Sequence, residues 1–350
     1  MPHSLFGTRI IAAPMAGGTS TPAFVGAVHA AGGLGFLAAG YKSVEAMQAE
    51  IRSTRAAGVR FGMNVFVPDR AQLEPSGALR AQLEEYRSRL RADAERYGVE
   101  VPPLRLDDDD AWQDKVAALL EDPVELVSFT FGLPGPDVVR ALRRAGSAVI
   151  ATVTTPAEAL EAAGQGVDAL VVQHVSAGAH SAAFQPGAGS RSAGQGVPQP
   201  GTTAELVTRV RSAVGLPLAA AGGVMDRAGL NAVVAAGAQA AQLGTAFLRT
   251  DESGARQLHK DALASPHFAE TQLTAAFTGR QARALVNEFV RDHADAPEVY
   301  PAVHHLTAPL RAAAAAAGDP ERLNLWAGTG WQRAQSGPVA GILAGLLADD

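Results

Sequence analysis

The 350-residue chain is 47% apolar and 5% aromatic, carries a formal net charge of −6 and has no cysteine. The negative balance offers no basic field for nucleic acid or an anionic membrane. The missing thiols exclude disulfides, thiolate metal sites and covalent-thiol mechanisms.

The length suits one parallel barrel with insertions, since such barrels take ~250 residues and more where loops are elaborated. Residues 1–7 show no charged segment followed by a long apolar run, and the apolar stretches are short and broken by glycine. No secretory signal or membrane span is expected, and the cytoplasm is the default compartment.

Taken in chain order, short β-rich apolar runs alternate with helical stretches, the pattern of a parallel α/β fold. Strands are predicted at 9–13, 34–38, 60–66, 126–131, 148–153, 169–173, 217–221 and 240–243. Helices are predicted between them at 22–31, 43–57, 136–145, 156–165, 202–214 and 226–236. Thr21-Pro22 and Thr155-Pro156 open two of these, the hydroxyl capping the helix and proline taking its first turn.

Eight strands predict a (β/α)8 TIM barrel formed by 1–68 and 121–251. A charged helical insertion, 69–120, is too polar for barrel core. Its acidic run 107–110 lacks the interleaving of a calcium loop and is expected to be a solvated helix entry. From 252 to 350 the chain reads as helices, including 270–277, 282–291 and the alanine run 312–317. Together these pieces predict a smaller, mainly helical second domain capping the barrel. The apolar tail fits either an intramolecular cap or a homodimer interface.

The strongest local signal is a pair of glycine-ended strands. Ala221-Gly222-Gly223 and, about twenty residues on, Leu243-Gly244-Thr245 each expose unobstructed backbone N–H groups before a helix or turn. Two such loops after neighbouring late strands form a phosphate cradle in many barrels. The first strand ends in Pro14-Met15-Ala16, and the third carries Asn64 between apolar residues, where an amide needs a partner. The sixth ends Gln173-His174-Val175-Ser176-Ala177-Gly178-Ala179-His180 and leads into a long Gly/Ser-rich loop, 176–201. His180 follows glycine at the functional face of the barrel, where a neutral imidazole can take a proton near pH 7. No His/Asp/Glu cluster has metal-ligand spacing, so no metal is expected.

Together these segments resemble the nitronate monooxygenase family, formerly the 2-nitropropane dioxygenases. The likeness runs almost end to end: Ala13-Pro14-Met15-Ala16-Gly17-Gly18, Ala39-Gly40-Tyr41, Phe61-Gly62-Met63-Asn64-Val65-Phe66, the two glycine segments, Thr278-Gly279-Arg280, Tyr300-Pro301 and Leu325-Trp326-Ala327-Gly328.

The resemblance implies an FMN-dependent oxidation of alkyl nitronates, such as propionate 3-nitronate, by O2 to a carbonyl compound and nitrite. The implied FMN contacts are Pro14, Met15, Ala16, Asn64, Gln173, Ala177 and Gly178 around the ring, with Gly222, Gly223, Gly244 and Thr245 at the phosphate. His180 matches the family's active-site histidine, a base toward neutral nitroalkanes. His174, Ser176 and Tyr300 are expected on the substrate side.

The chain departs from the family's usual Gln-Gly-x-Glu-Ala-Gly-Gly-His. His174 and Ala179 replace glycines, and Ser176 replaces the carboxylate. Thr329 also stands where glutamine is usual. The flavin cradle is shared with NAD(P)H-linked reductases of the enoyl-acyl-carrier-protein type and with a flavin-binding barrel of lapsed activity. A purine-nucleotide dehydrogenase barrel needs a nucleophilic cysteine and is excluded.

Overall fold

A computed structural model describes residues 5–184 and 201–348. The strands in chain order are β1 (Ile10–Ala12), β2 (Leu34–Ala38), β3 (Phe61–Phe66), β4 (Leu126–Thr130), β5 (Ala148–Val153), β6 (Ala169–Gln173), β7 (Ala179–His180), β8 (Leu218–Ala221), β9 (Ala240–Leu243), β10 (Thr271–Thr274) and β11 (Ala282–Leu285). All but β7, β10 and β11 close into a parallel barrel. β1 pairs with β2 at Ile11↔Leu34 and with β9 at Ile10↔Ala241. The eight strands expected from the sequence are these eight.

Alternation along each strand sorts the apolar residues into two layers. Ile11, Leu34, Phe36, Leu126, Ile150 and Val171 point inward over Phe6, which plugs the N-terminal end. Ile10, Leu37, Val127, Val149, Leu170 and Val172 face the helices. Two caps form as their sequence implies. The Thr21 side chain accepts from the Phe24 N–H at 3.1 Å with Pro22 starting the helix, and Thr155 accepts from the Glu158 N–H at 3.1 Å ahead of Pro156.

Several expected boundaries move. The helix Trp112–Glu121 lies within the stretch assigned to the insertion, yet Trp112, Val116 and Leu119 pack in the barrel core. At the other end Val339–Leu347 returns from the tail and packs Val339, Leu343 and Leu346 into the same core beside the first helix, completing the outer ring after β9.

The predicted helices at 270–277 and 282–291 are instead β10 and β11, followed by a short helix, Glu288–Asp292. β10, β11 and β7 form an antiparallel sheet, with His180 opposite Ala282. β10 and β11 pair with each other from Thr271↔Leu285 to Thr274↔Ala282, and β7 adds a further partner that a helix reading ignored. This sheet and the helices Gly77–Arg96 and Ala302–Ala316 enclose a second core of Leu83, Tyr86, Leu90, Phe277, Phe289 and Leu306. The part outside the barrel is therefore helix and sheet together.

The acidic run is not uniformly solvated. Asp110 sits 2.8 Å from the Nζ of Lys115, whose side chain is fully buried, and accepts from the Tyr41 N–H at 2.9 Å. Asp108 lies 2.8 Å from His305 Nε2. A buried lysine demands a carboxylate, and this pair ties the insertion to the loop after β2. Among the described residues, no helix is long and apolar enough to cross a membrane.

Candidate active site

Four loops meet at the C-terminal end of the barrel: those after β6, β8 and β9, and the segment 327–329. Gly222 and Gly223 both have positive φ, +115° and +68°, which a side chain would strain. A Cβ at Gly222 would lie 2.9 Å from Ser176 Oγ and 3.0 Å from the His174 carbonyl. Gly178 is packed against backbone, where a Cβ would fall 2.6 Å from the Gly328 nitrogen. The Gly328 N–H donates to Thr245 Oγ1 at 3.0 Å and the Thr329 N–H to the Ser176 carbonyl at 3.0 Å, holding the loops together. Among the described residues, the N–H groups of Gly178, Gly222, Gly223, Gly244 and Thr245 donate to nothing. Such unspent N–H groups at bare backbone form an anion receptor.

His180 stands beside this cradle on β7. Its ring is caged by Phe131, Trp326 and Tyr300, with centroids at 5.5, 5.4 and 6.0 Å. Phe131 takes φ +78°, an outlier for an aromatic residue, and presents its face to the Arg280 guanidinium at 4.0 Å. Strain of this kind collects at functional sites.

His180 Nε2 lies 3.0 Å from Thr278 Oγ1. Burial, and then the positive charges of Arg280 and Arg311, push its pKa down to about 3, so the imidazole is neutral at pH 7. Arg280 donates from Nε and Nη2 to the carbonyls of Ser181 and Ala183 at 3.1 and 2.5 Å. It has no carboxylate within ion-pair distance among the described residues. Burial lowers its pKa to about 10.

The structure distributes the remaining expected residues. Met15 lies by the cradle, its Sδ 3.8 Å from where a Gly244 Cβ would be, in the loop of Pro14 and Ala16 after β1. Asn64 is buried in β3, and its Nδ2 donates to Ser128 Oγ and Thr130 Oγ1 at 2.9 and 3.0 Å. Its Oδ1 has no partner among the described residues. Gln173 is already engaged: its Nε2 donates to the His180 carbonyl at 3.1 Å, and its Oε1 accepts from the Ala182 N–H at 2.8 Å. It clamps β7 to the barrel.

His174 and Ser176, expected on the substrate side, sit against the glycine loops. His174 is buried, its Nδ1 2.8 Å from Ser176 Oγ, and that hydroxyl rests over Gly222 and Gly223 with Ala177 alongside. They belong with the glycine cradle. Tyr300 does stand beside His180, with its hydroxyl bonded to that of Tyr41 and its pKa pushed up by burial. The residues between 185 and 200 of the long glycine-rich loop lie outside the described residues.

Sequence reasoning gave Phe131, Thr278, Arg280 and Trp326 no role. The last three were visible only as family-like motifs, while Phe131 ends a strand before a glycine, a faint sign of an unusual turn.

The nitronate monooxygenase family model matches residues 3–349. A nitronate monooxygenase of Paraburkholderia phytofirmans is 38% identical over 349 residues, covering 96% of this chain and 90% of the relative. The crystal structure of nitroalkane oxidase from Streptomyces ansochromogenes superposes with a TM-score of 0.90 at 46% identity, covering 98% and 96% of the two chains. FabK from Thermotoga maritima superposes at 0.73 with 25% identity, covering 98% and 93%. The match spans barrel, cradle and outer sheet alike, and the chain is an oxidoreductase belonging to the nitronate monooxygenase family.

Proposed function

We propose that the protein binds FMN and oxidises nitroalkanes and their nitronates with O2, with His180 as the base for the neutral substrate. The observation that carries this reading is a neutral, caged imidazole beside a set of backbone N–H groups that donate to nothing among the described residues. The residues fit FMN. The free N–H groups of Gly222, Gly223, Gly244 and Thr245 suit a phosphate dianion, and Ser176 and Thr245 add hydroxyls. To the rest of the cofactor we assign Met15 with its loop neighbours Pro14 and Ala16, together with Ala177, Gly178 and Gln173, and Asn64 keeps a carbonyl oxygen for a ring N–H. FMN, when bound, supplies the electron-accepting chemistry.

The chain's own groups do the rest. A nitronate already carries its charge and needs only to be placed, whereas a neutral nitroalkane must first lose a C–H proton. His180 takes that proton. The Arg280 cation stabilises the negative charge that develops on the nitro group. Phe131, Trp326 and Tyr300 keep water from the reacting carbon. The nitroalkane oxidase neighbour, at 46% identity, supports neutral substrates as well as ionised ones.

The test is oxygen uptake with nitrite release, comparing a neutral nitroalkane with the same compound pre-ionised, and with propionate 3-nitronate. Uptake with nitrite is expected on all three. His180→Asn is expected to abolish most turnover of the neutral compound, by 10²-fold or so, and to spare the ionised ones. Equal losses on both forms would refute the base role. Reduction of the flavin by NAD(P)H under nitrogen, without nitronate turnover, would instead support the reductase reading.

A further inference from the structure

We infer that Thr278 is a positioning residue that fixes the tautomer of His180, placing its proton on Nε2 and leaving Nδ1 as the atom that meets the substrate. The inference rests on the reading of His180 as the base and names the nitrogen that acts.

The Thr278 hydroxyl is nearly sealed, with 2% of the residue exposed, and has three neighbours. His180 Nε2 is at 3.0 Å, the Arg280 carbonyl oxygen at 3.3 Å, and the Arg280 backbone N–H donates to it from 3.4 Å. A hydroxyl has one proton to give and two lone pairs to receive with. If Nε2 carries the imidazole proton, Thr278 accepts from Nε2–H and from the Arg280 N–H and donates to the Arg280 carbonyl. All three contacts are then satisfied. If Nε2 is bare, the hydroxyl proton must turn to it, and the Arg280 carbonyl loses the only donor that reaches it among the described residues. A partly buried carbonyl left unpaired is costly, so the first arrangement prevails.

The geometry is held from several sides. The Thr278 and Gly279 N–H groups both donate to the Ala275 carbonyl, at 3.2 and 2.8 Å, fixing the turn between β10 and β11. Pairing of β11 with β7 and the Gln173 clamp fix the backbone of His180. Among the described residues Nδ1 has no hydrogen-bond partner, and it is not one of the sealed, unbonded side-chain atoms.

The proton balance favours this arrangement too. The substrate C–H proton passes to the Nδ1 lone pair, the C–H electron pair moves into the nitro group, and the products are nitronate and imidazolium. Nε2–H keeps donating to Thr278 throughout, so nothing reorients. With the opposite tautomer the bare nitrogen would face Thr278, away from the substrate.

The experiment uses the FMN-loaded enzyme labelled with 15N-histidine, together with Thr278→Val, Thr278→Ser and His180→Asn; the last assigns the His180 signals. Long-range proton–nitrogen spectra at neutral pH are expected to show a protonated Nε2 and a bare Nδ1 in the wild type and in Thr278→Ser. Thr278→Val should move the proton partly to Nδ1. Its kcat on neutral nitroalkane should fall by about tenfold, a fraction of a general base's worth, with KM nearly constant and a much smaller loss on pre-ionised substrate. Thr278→Ser should restore most of that kcat.

A wild-type spectrum with the proton on Nδ1 overturns the inference without any variant. So does a Thr278→Val protein with unchanged tautomer and kcat. His180→Asn separates the two readings: at full speed on neutral nitroalkane it refutes the base itself. A slow His180→Asn beside an unaffected Thr278→Val refutes only the part given to Thr278.

Discussion

Gly178→Ala should damage the site from the inside, and Gly244→Ala should not. At Gly178 the new Cβ would fall 2.6 Å from the Gly328 nitrogen and 2.7 Å from the Ala327 carbonyl carbon, both backbone atoms that no rotamer change can move aside. Relief requires the segments 176–180 and 327–329 to part, at an overpacking cost of about 1–3 kcal/mol. Parting them also weakens the bonds from Gly328 to Thr245 and from Thr329 to Ser176, at about 1 kcal/mol each. The expected loss is therefore about 3–5 kcal/mol. At Gly244 the same Cβ would meet only Ala13 Cβ and Met15 Sδ, at 3.7 and 3.8 Å, which is ordinary contact. That change should stay within about 0.5 kcal/mol. Urea denaturation of the ligand-free proteins, followed by tryptophan fluorescence, measures both. A Gly178→Ala loss below about 1 kcal/mol, or equal losses at the two positions, would show that the loops are not packed as described.

Three further outcomes are expected. Ala179 sits at φ +62°, where a Cβ costs about 1–2 kcal/mol. Ala179→Gly gives back about 0.5–1 kcal/mol of that in chain entropy, so its urea midpoint should rise slightly and a fall would count against the strain. Lys115→Met removes the partner of Asp110 in a buried pair and should cost about 3 kcal/mol, at the low end for such pairs, because burial already raises the Asp110 pKa and lets it take up a proton. An unchanged denaturation midpoint would refute it.

The pH dependence is the third. His180, His259 and His304 have pKa values lowered to about 3, 4 and 2, so they stay neutral in the fold while the unfolded chain binds protons below 6.5. Stability should be fully present above pH 6.5 and fall as the pH drops, by about 2 kcal/mol per histidine at pH 5. Asp110 and Glu298, with raised pKa values, oppose part of this. Denaturation midpoints constant from pH 8 to 5 would contradict it. For the same reason, kcat/KM for neutral nitroalkane should lack an acid limb near 6.5.

The barrel was legible because its signals are local and repeated. Each strand is a short apolar run, two of the caps are Thr-Pro pairs, and the cradle is two glycine-ended strands at fixed spacing. What escaped depended on distant partners. Ala282–Leu285 pairs with its chain neighbour β10 on one side and, on the other, with β7, 102 residues earlier at its His180 end (282 − 180). Val339–Leu347 joins the barrel ring although nearly a hundred residues separate it from β9 (339 − 243 = 96), and its composition, apolar on all sides, names no face. Ser176 was expected on the substrate side from its position in the motif. Its contact with Gly222 is made across two loops, and no periodicity carries that information.

That division also explains how the two halves of the site depend on different cores. The glycine loops follow the barrel strands β6, β8 and β9 and are joined by the segment 327–329, whose Gly328 and Thr329 N–H groups bond to Thr245 and Ser176. His180 is on the barrel chain but takes its register from β11, its tautomer from Thr278, and part of its cage from Trp326 and Tyr300, all contributed by the sequence beyond the barrel. Phe277, the neighbour of Thr278, is buried in the second core against Phe289, and its carbonyl accepts from Thr307 at 2.6 Å. A cavity cut there would loosen the turn that holds the histidine while leaving the glycine loops intact. If FMN sits in the cradle and His180 is the base, such a substitution should lower turnover of neutral nitroalkane more than it lowers cofactor affinity.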